Sequence, residues 1–193
     1  LELLSGAVVQ LPSVGVFSPV VFGTMAEEEE QGSWDQTVEE WLLSEGYCYA
    51  GALAQEDCAF YAAAPVAEEA GWGFVYKENY EEEILQEDGE TKKKTAIDEA
   101  GSLQATVTTG KAPATGLWLG GNKYSVVRYE PDFESGDNTF VVISAARPKK
   151  GVHIVSTGSQ ILAAFYDEEK GQTAGNAKKA ALAFAEYLKS VGY

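Results

Sequence analysis

Few residues of this chain could do chemistry: one histidine (His153), two cysteines (Cys48 and Cys58), a glycine-rich stretch from Gly116 to Lys123, and 30 carboxylates. A general base needs a partner within hydrogen-bond reach. His153 sits in a strand-like run that supplies none, so it reads as a structural or surface histidine. The cysteines lack the Cys-x-x-Cys spacing of a zinc site, and two are too few for a secreted disulfide framework. They flank a turn near Gln55-Glu56-Asp57. In a hairpin centred there Cys58 faces Ala54 rather than Cys48, so both read as reduced thiols of a cytosolic protein. Gly116–Lys123 approaches a phosphate-binding loop, but Asn122 stands where that loop needs lysine, and the surroundings read strand-turn-strand. Runs of carboxylates read as solvated faces. The sequence therefore carries no catalytic constellation, no metal site and no cofactor site, and an enzyme is not expected.

Two other groupings suit binding. The first is aromatic: Trp34, Tyr61, Tyr187 and Tyr193, with Leu188 among them. Flat rings stack against proline rings, and indole and phenol groups donate to exposed carbonyls, so the set suits a polyproline helix; it equally suits a plain core. The second is basic: Lys123, Arg128, Arg147, Lys149, Lys150, Lys178 and Lys179 lie in the second half of the chain. Residues 1–110 carry a balance of −18 and residues 111–193 one of +2, within a net −16. Such a field repels nucleic acid and anionic membranes, so any basic face must be local.

The elements that position these residues follow from local pattern. Ser33 and Gln36 form a capping box for a helix whose Trp34, Val38, Trp41 and Leu42 share one face, with Gly46 ending it. Tyr47–Ala54 and Cys58–Ala64 read as a hairpin, whose Ala62-Ala63-Ala64 permits close approach of a neighbour. Pro65 ends it, and Gly71-Trp72-Gly73-Phe74 opens a helical or irregular segment. Residues 78–99 read as an acidic two-stranded arm turning at Glu87-Asp88-Gly89-Glu90 and tipped by Lys92, Lys93 and Lys94. Asp98–Thr109 reads as a helix with Leu103 and Val107 inward, stopped by Gly110. Leu117–Leu119 and Tyr124–Arg128 read as strands joined by Gly120-Gly121-Asn122, residues that tolerate positive φ. Glu130–Asn138 reads as a polar loop. Thr139–Ala146, Val152–Ser156 and Gln160–Tyr166 read as a meander, and Gly175–Val191 as a last helix with Ala177, Ala181, Phe184, Leu188 and Val191 on one stripe. The order gives an α+β domain around an antiparallel sheet.

Leu-Gly-Gly-x-Lys-Tyr at 119–124, preceded by Ala112-Pro113-Ala114-Thr115-Gly116, resembles the central hairpin of profilins. Ser33-Trp34, Ile161–Glu168 and the ending Glu186-Tyr187-Leu188-x3-Gly192-Tyr193 resemble profilin segments in the same order, and the acidic arm resembles the apicomplexan branch. The resemblance implies an antiparallel sheet with the N- and C-terminal helices on one face and smaller helices on the other. It implies a monomeric, cytoplasmic regulator of the actin cytoskeleton that binds actin monomers and proline-rich proteins such as formins. Phosphoinositide binding is expected to be weak or absent. In this resemblance Trp34, Tyr61, Tyr187, Leu188 and Tyr193 match the polyproline groove, with Thr37 and Tyr61 standing where many members carry tyrosine and tryptophan. The actin face is Lys123, Arg128, Arg147, Lys149, Gly175, Lys178, Lys179 and Leu182. Alternatives are an adaptor of the same fold with a degenerate actin face, or a small-ligand sensor of similar plan.

The domain is expected to span 33–193, with 1–32 an extension. Residues 1–24 contain no lysine or arginine, unlike a secretory signal, and Met25 is the only methionine. Met25 therefore reads as the natural start, with a cleaved targeting segment as the minority alternative.

Overall fold

The computed structural model describes residues 33–78, 80–85 and 89–193; the expected N-terminal extension lies outside them. Chain order is α1 (Trp34–Leu42), β1 (Ala50–Gln55), β2 (Phe60–Ala64), α2 (Ala70–Val75), β3 (Tyr80–Leu85), β4 (Lys92–Ile97), α3 (Glu99–Thr109), β5 (Leu117–Leu119), β6 (Asn122–Ser135), β7 (Asn138–Arg147), β8 (Lys150–Ser156), β9 (Gln160–Asp167) and α4 (Ala174–Ser190). Among the described residues β1, β2 and β5–β9 form an antiparallel sheet of order β2-β1-β9-β8-β7-β6-β5, while β3 and β4 pair apart from it. The fold is α+β, as expected.

The sheet has a core on each face. On one side α1 and α4 bury Val38, Leu42, Ala177, Ala181, Phe184 and Leu188 against Leu53, Val142, Val155 and Leu162. On the other, Val75 of α2 and Leu103 of α3 pack with Leu117, Tyr124, Ile143, Ile154 and Phe165. The alanine-rich hairpin explains how closely the helices approach. A Cβ on Gly71 of α2 would lie 2.5–2.8 Å from Ala64 backbone atoms, and one on Gly51 would run into Leu42 and Val38 of α1. Val191 leaves the expected stripe and is exposed, because α4 ends at Ser190.

Three expectations need correction. Glu130–Asn138 is no loop: β6 and β7 pair to their tips through Phe133↔Phe140 and Ser135↔Asn138, leaving Gly136-Asp137 as the turn. Irregularities near Val127 and between Glu130 and Phe133 break the period-two pattern that would have announced the strand. Cys58 does not face Ala54, which pairs with Phe60; Cys58 lies in the turn at φ 66°. The arm lysines do not tip it. Lys92, Lys93 and Lys94 lie in β4 opposite Leu85, Ile84 and Glu83, and Glu87 and Asp88 of the expected turn are outside the described residues.

One buried carboxylate joins these parts. Glu99, 2 % exposed at the start of α3, accepts from the Lys77 N–H (3.0 Å), the Tyr80 hydroxyl (2.6 Å), the Gly120 N–H (2.8 Å) and the Gly121 N–H (2.7 Å). Gly120 and Gly121 form the two-residue turn between β5 and β6, both at positive φ (58° and 73°). A Cβ on Gly120 would collide with the Phe74 carbonyl. One side chain thus holds the root of the arm, the segment after α2 and the central turn. Glu99→Gln leaves one acceptor oxygen for four donors and should cost about 2–4 kcal/mol in denaturant unfolding, with faster hydrogen exchange at Gly120 and Gly121. Glu81→Gln, on the exposed arm, should stay within about 0.5 kcal/mol of the parent.

Candidate functional site

The aromatic grouping comes together along the seam of α1 and α4. The predicted capping box is present: Ser33 Oγ accepts from the Gln36 N–H (3.3 Å) and Gln36 Oε1 from the Ser33 N–H (3.2 Å). Asp35 and Glu39, one turn apart, accept from the backbone N–H groups of Ala63 and Val66, both at 2.7 Å. They tie α1 along β2, an edge strand of the sheet. Trp34 then meets Tyr61 edge-on at 6.3 Å and Tyr193 edge-on at 5.1 Å. Tyr61 reaches this face because it is the extra residue of a bulge: Leu53 pairs with Ala62, but Ala54 pairs with Phe60. Its hydroxyl donates to Gln160 Oε1 at 2.8 Å, and burial pushes its pKa up to about 12. Tyr187 lies farther along, stacked on Trp41. Leu188 is fully buried and braces the rings from below, presenting no surface of its own.

The basic grouping is only partly brought together. Tyr124 is buried against α2 and α3, so alternation turns exposed Lys123 to the α4 side. The bulge at Val127 restores that side for Arg128 and Glu130 and leaves Val127 itself 70 % exposed. Lys149 occupies the turn between β7 and β8 at φ 65°. Gly175 and Lys179 are exposed on the first turns of α4. One residue departs from the expected face. Arg147 points to the other side of the sheet, where its guanidinium lies 5.6 Å over the Tyr124 ring; strand alternation from Ala145, buried on that side, puts it there. Leu182 packs half-buried against the α1–α4 core.

Sequence reasoning misses Glu130, because its surroundings read as a loop. Its carboxylate accepts from Lys178 Nζ at 2.7 Å and lies 3.8 Å from Arg128 Nε. The Lys178 hydrogen bond holds the Glu130 carboxyl below its ordinary range. Lys178 also lies 4.3 Å over the Phe133 ring. Two of the expected cations are therefore clasped by one internal anion. Lys150, similarly, is paired with Asp167 at 2.9 Å.

His153 is structural. It is 4 % exposed; Nε2–H donates to the Ala174 carbonyl at 2.8 Å, and Nδ1 accepts from the Ser144 hydroxyl at 3.0 Å. It pins the first turn of α4, where Gly175, Lys178 and Lys179 sit, to the sheet. Burial pushes the thiols of Cys48 and Cys58 up to about 12 and about 11, which suits inert core thiols. Among the described residues no cluster of histidine, cysteine or carboxylate could hold a metal ion, and no helix is long and apolar enough to cross a membrane.

A family model described as Profilin matches residues 32–193. The profilin of Plasmodium falciparum (isolate 3D7) is 39 % identical over 166 residues, covering 82 % of this chain and 96 % of that protein. The profilin of Plasmodium berghei is 37 % identical over the same share of this chain and 94 % of its own. Among solved structures, Acanthamoeba castellanii profilin IA shares the fold at a TM-score of 0.55 and 20 % identity, covering 83 % of this chain and all of that one. A Schizosaccharomyces pombe profilin does so at 0.52 and 24 %.

The His153 anchor makes stability depend on pH. Burial lowers its pKa from 6.5 to about 4. Between those values the unfolded chain takes up a proton that the folded chain refuses. The stabilisation is complete above about pH 6.5 and should fade as pH falls towards 4, by on the order of 2–3 kcal/mol. Denaturant unfolding from pH 7.5 to 4.5, with His153→Gln as reference, checks this. The variant should lose that part of the slope.

Proposed function

The chain belongs to the profilin family and is of the apicomplexan type; from that premise we propose that it binds monomeric actin with one face and proline-rich segments, such as those of formins, with another. The family is one of non-enzymatic, actin-binding regulators of the cytoskeleton. The chain works as a cytoplasmic monomer, needs no cofactor, and has little or no affinity for phosphoinositide membranes or nucleic acid. The observation that carries this reading is the layout of α4. Its first turns offer Gly175 and exposed Lys179 beside the strand bearing Lys123 and Arg128, while its far end offers Tyr187 and, just past it, Tyr193 beside Trp34 and Tyr61. Two ligands can therefore be held without sharing a residue.

Actin is itself acidic, so net repulsion opposes encounter with a chain of charge −16. The local cations Lys123, Arg128, Lys149 and Lys179 fix orientation at short range. Val127 adds an exposed apolar contact in their midst. Salt screens both the distant repulsion and the local attraction, over about 8 Å at physiological strength, so affinity should change only shallowly with salt.

One observation favours a second reading, in which the actin face is degenerate and the protein is an adaptor for proline-rich ligands. Glu130 already neutralises Lys178 and neighbours Arg128. Calorimetry with monomeric actin separates the two. In the first reading Lys123→Glu and Lys179→Glu each place like charges in contact and weaken binding by several kcal/mol, while Trp34→Ala leaves it unchanged. Charge-reversal variants that bind as the parent does, or a parent that does not bind, would favour the adaptor.

A further inference from the structure

Trp41 is an aromatic of the α1–α4 seam that the proline-ligand reading leaves unused. It is 36 % exposed although it sits on a helix face that is otherwise core. Its ring is held on Phe184, 7° from parallel at 5.6 Å, and on Tyr187, 26° from parallel at 5.0 Å. Trp34 is fixed as firmly, between the edges of Tyr61 and Tyr193. Both rings are thus set before any ligand arrives, so little ordering entropy opposes their use.

The two tryptophans are seven residues apart on one helix. That places them on the same face, about 20° short of two full turns, and about 10 Å apart along the axis. A polyproline helix repeats every three residues, with about 9 Å per turn. The rise between the two backbone positions is therefore close to one turn of such a ligand. The charges around Trp41 add a second constraint. Asp35 and Glu39 are committed to backbone N–H groups of Ala63 and Val66, but Glu40 and Glu45, on either side of Trp41 in the chain, are exposed. They favour lysine or arginine over acidic residues on a neighbouring peptide.

We infer that Trp41, on its Tyr187–Phe184 stack, is a second docking platform that selects proline-rich segments with prolines three residues apart and basic flanks. This rests on the proline-ligand reading above and adds to it a periodicity and a charge preference. A continuous seam read by Trp34 alone would accept any proline-rich segment; two platforms in register reject those out of phase.

The test compares calorimetric affinities of peptides of about twelve residues, one with proline at every third position and one with proline at every fourth. The parent protein should prefer the first by about tenfold, and Trp41→Ala should reduce that preference to near parity. Trp41→Phe, which keeps a stacked ring, should retain most of it and guards against misfolding of the alanine variant. In the parent, the Trp41 indole N–H resonance should move on saturation with the matched peptide. Arginine at both ends should tighten binding and glutamate should weaken it, the difference shrinking with salt. If the parent binds oligoproline through Trp34 yet ignores spacing and Trp41→Ala, the second platform is wrong and the groove stands. If it binds none of these peptides, both fall.

Discussion

A carboxylate buried at the start of α3 must be satisfied completely or it destabilises the fold around it. Glu99 meets that demand with donors from three places in the chain: Lys77 after α2, Tyr80 at the root of the arm, and Gly120 and Gly121 in the central turn. The arrangement explains why that turn is Gly-Gly. Both residues need positive φ, both N–H groups must converge on one anion, and the Phe74 carbonyl leaves no room for a side chain at Gly120. From the fixed turn β6 starts in a set direction, and with it Lys123 and Arg128. The acidic arm is likewise rooted, since Tyr80 also packs edge-on against Trp118 and under Lys77 Nζ.

Bulges then decide which face each side chain serves. In a regular strand Tyr61 would not share a side with its neighbour Ala62. The extra residue opposite Leu53 and Ala54 puts both on the α1–α4 side, which delivers Tyr61 to Trp34. In β6, Val127 does the same for Arg128 and Glu130. Both proposed faces thus depend on single-residue insertions that strengthen local twist and redirect the rest of the strand.

Much of this was legible in the sequence because its causes are local. Ser33 and Gln36 announce the first helix, Asp98 and Gly110 bound α3, and Gly120-Gly121 between two apolar runs announces the hairpin. The α+β plan follows from their order. The errors fall where the cause is not local. A bulge hides the alternation of 130–138, so a strand reads as a polar loop, and the partnership of Glu130 with Lys178 spans 48 residues. Charge alone groups Arg147 with the other cations, whereas strand phase sends it to the opposite face. Trp41 reads as core from helical periodicity, whereas its ring lies on Phe184 and Tyr187 and stays partly open.

The two faces meet in α4, anchored at its first turn by His153 and at its far end by the aromatic seam. Helix and sheet form one packed unit between them, so the two proposed faces are kept apart by the length of α4. In the proposed function, actin and a proline-rich ligand are held together on one molecule without competing. Titrating an oligoproline peptide into the protein already saturated with monomeric actin tests it most directly. The expected Kd is within about twofold of that of the free protein, with actin remaining bound. Displacement of actin, or a loss of proline affinity of about tenfold or more, would contradict it.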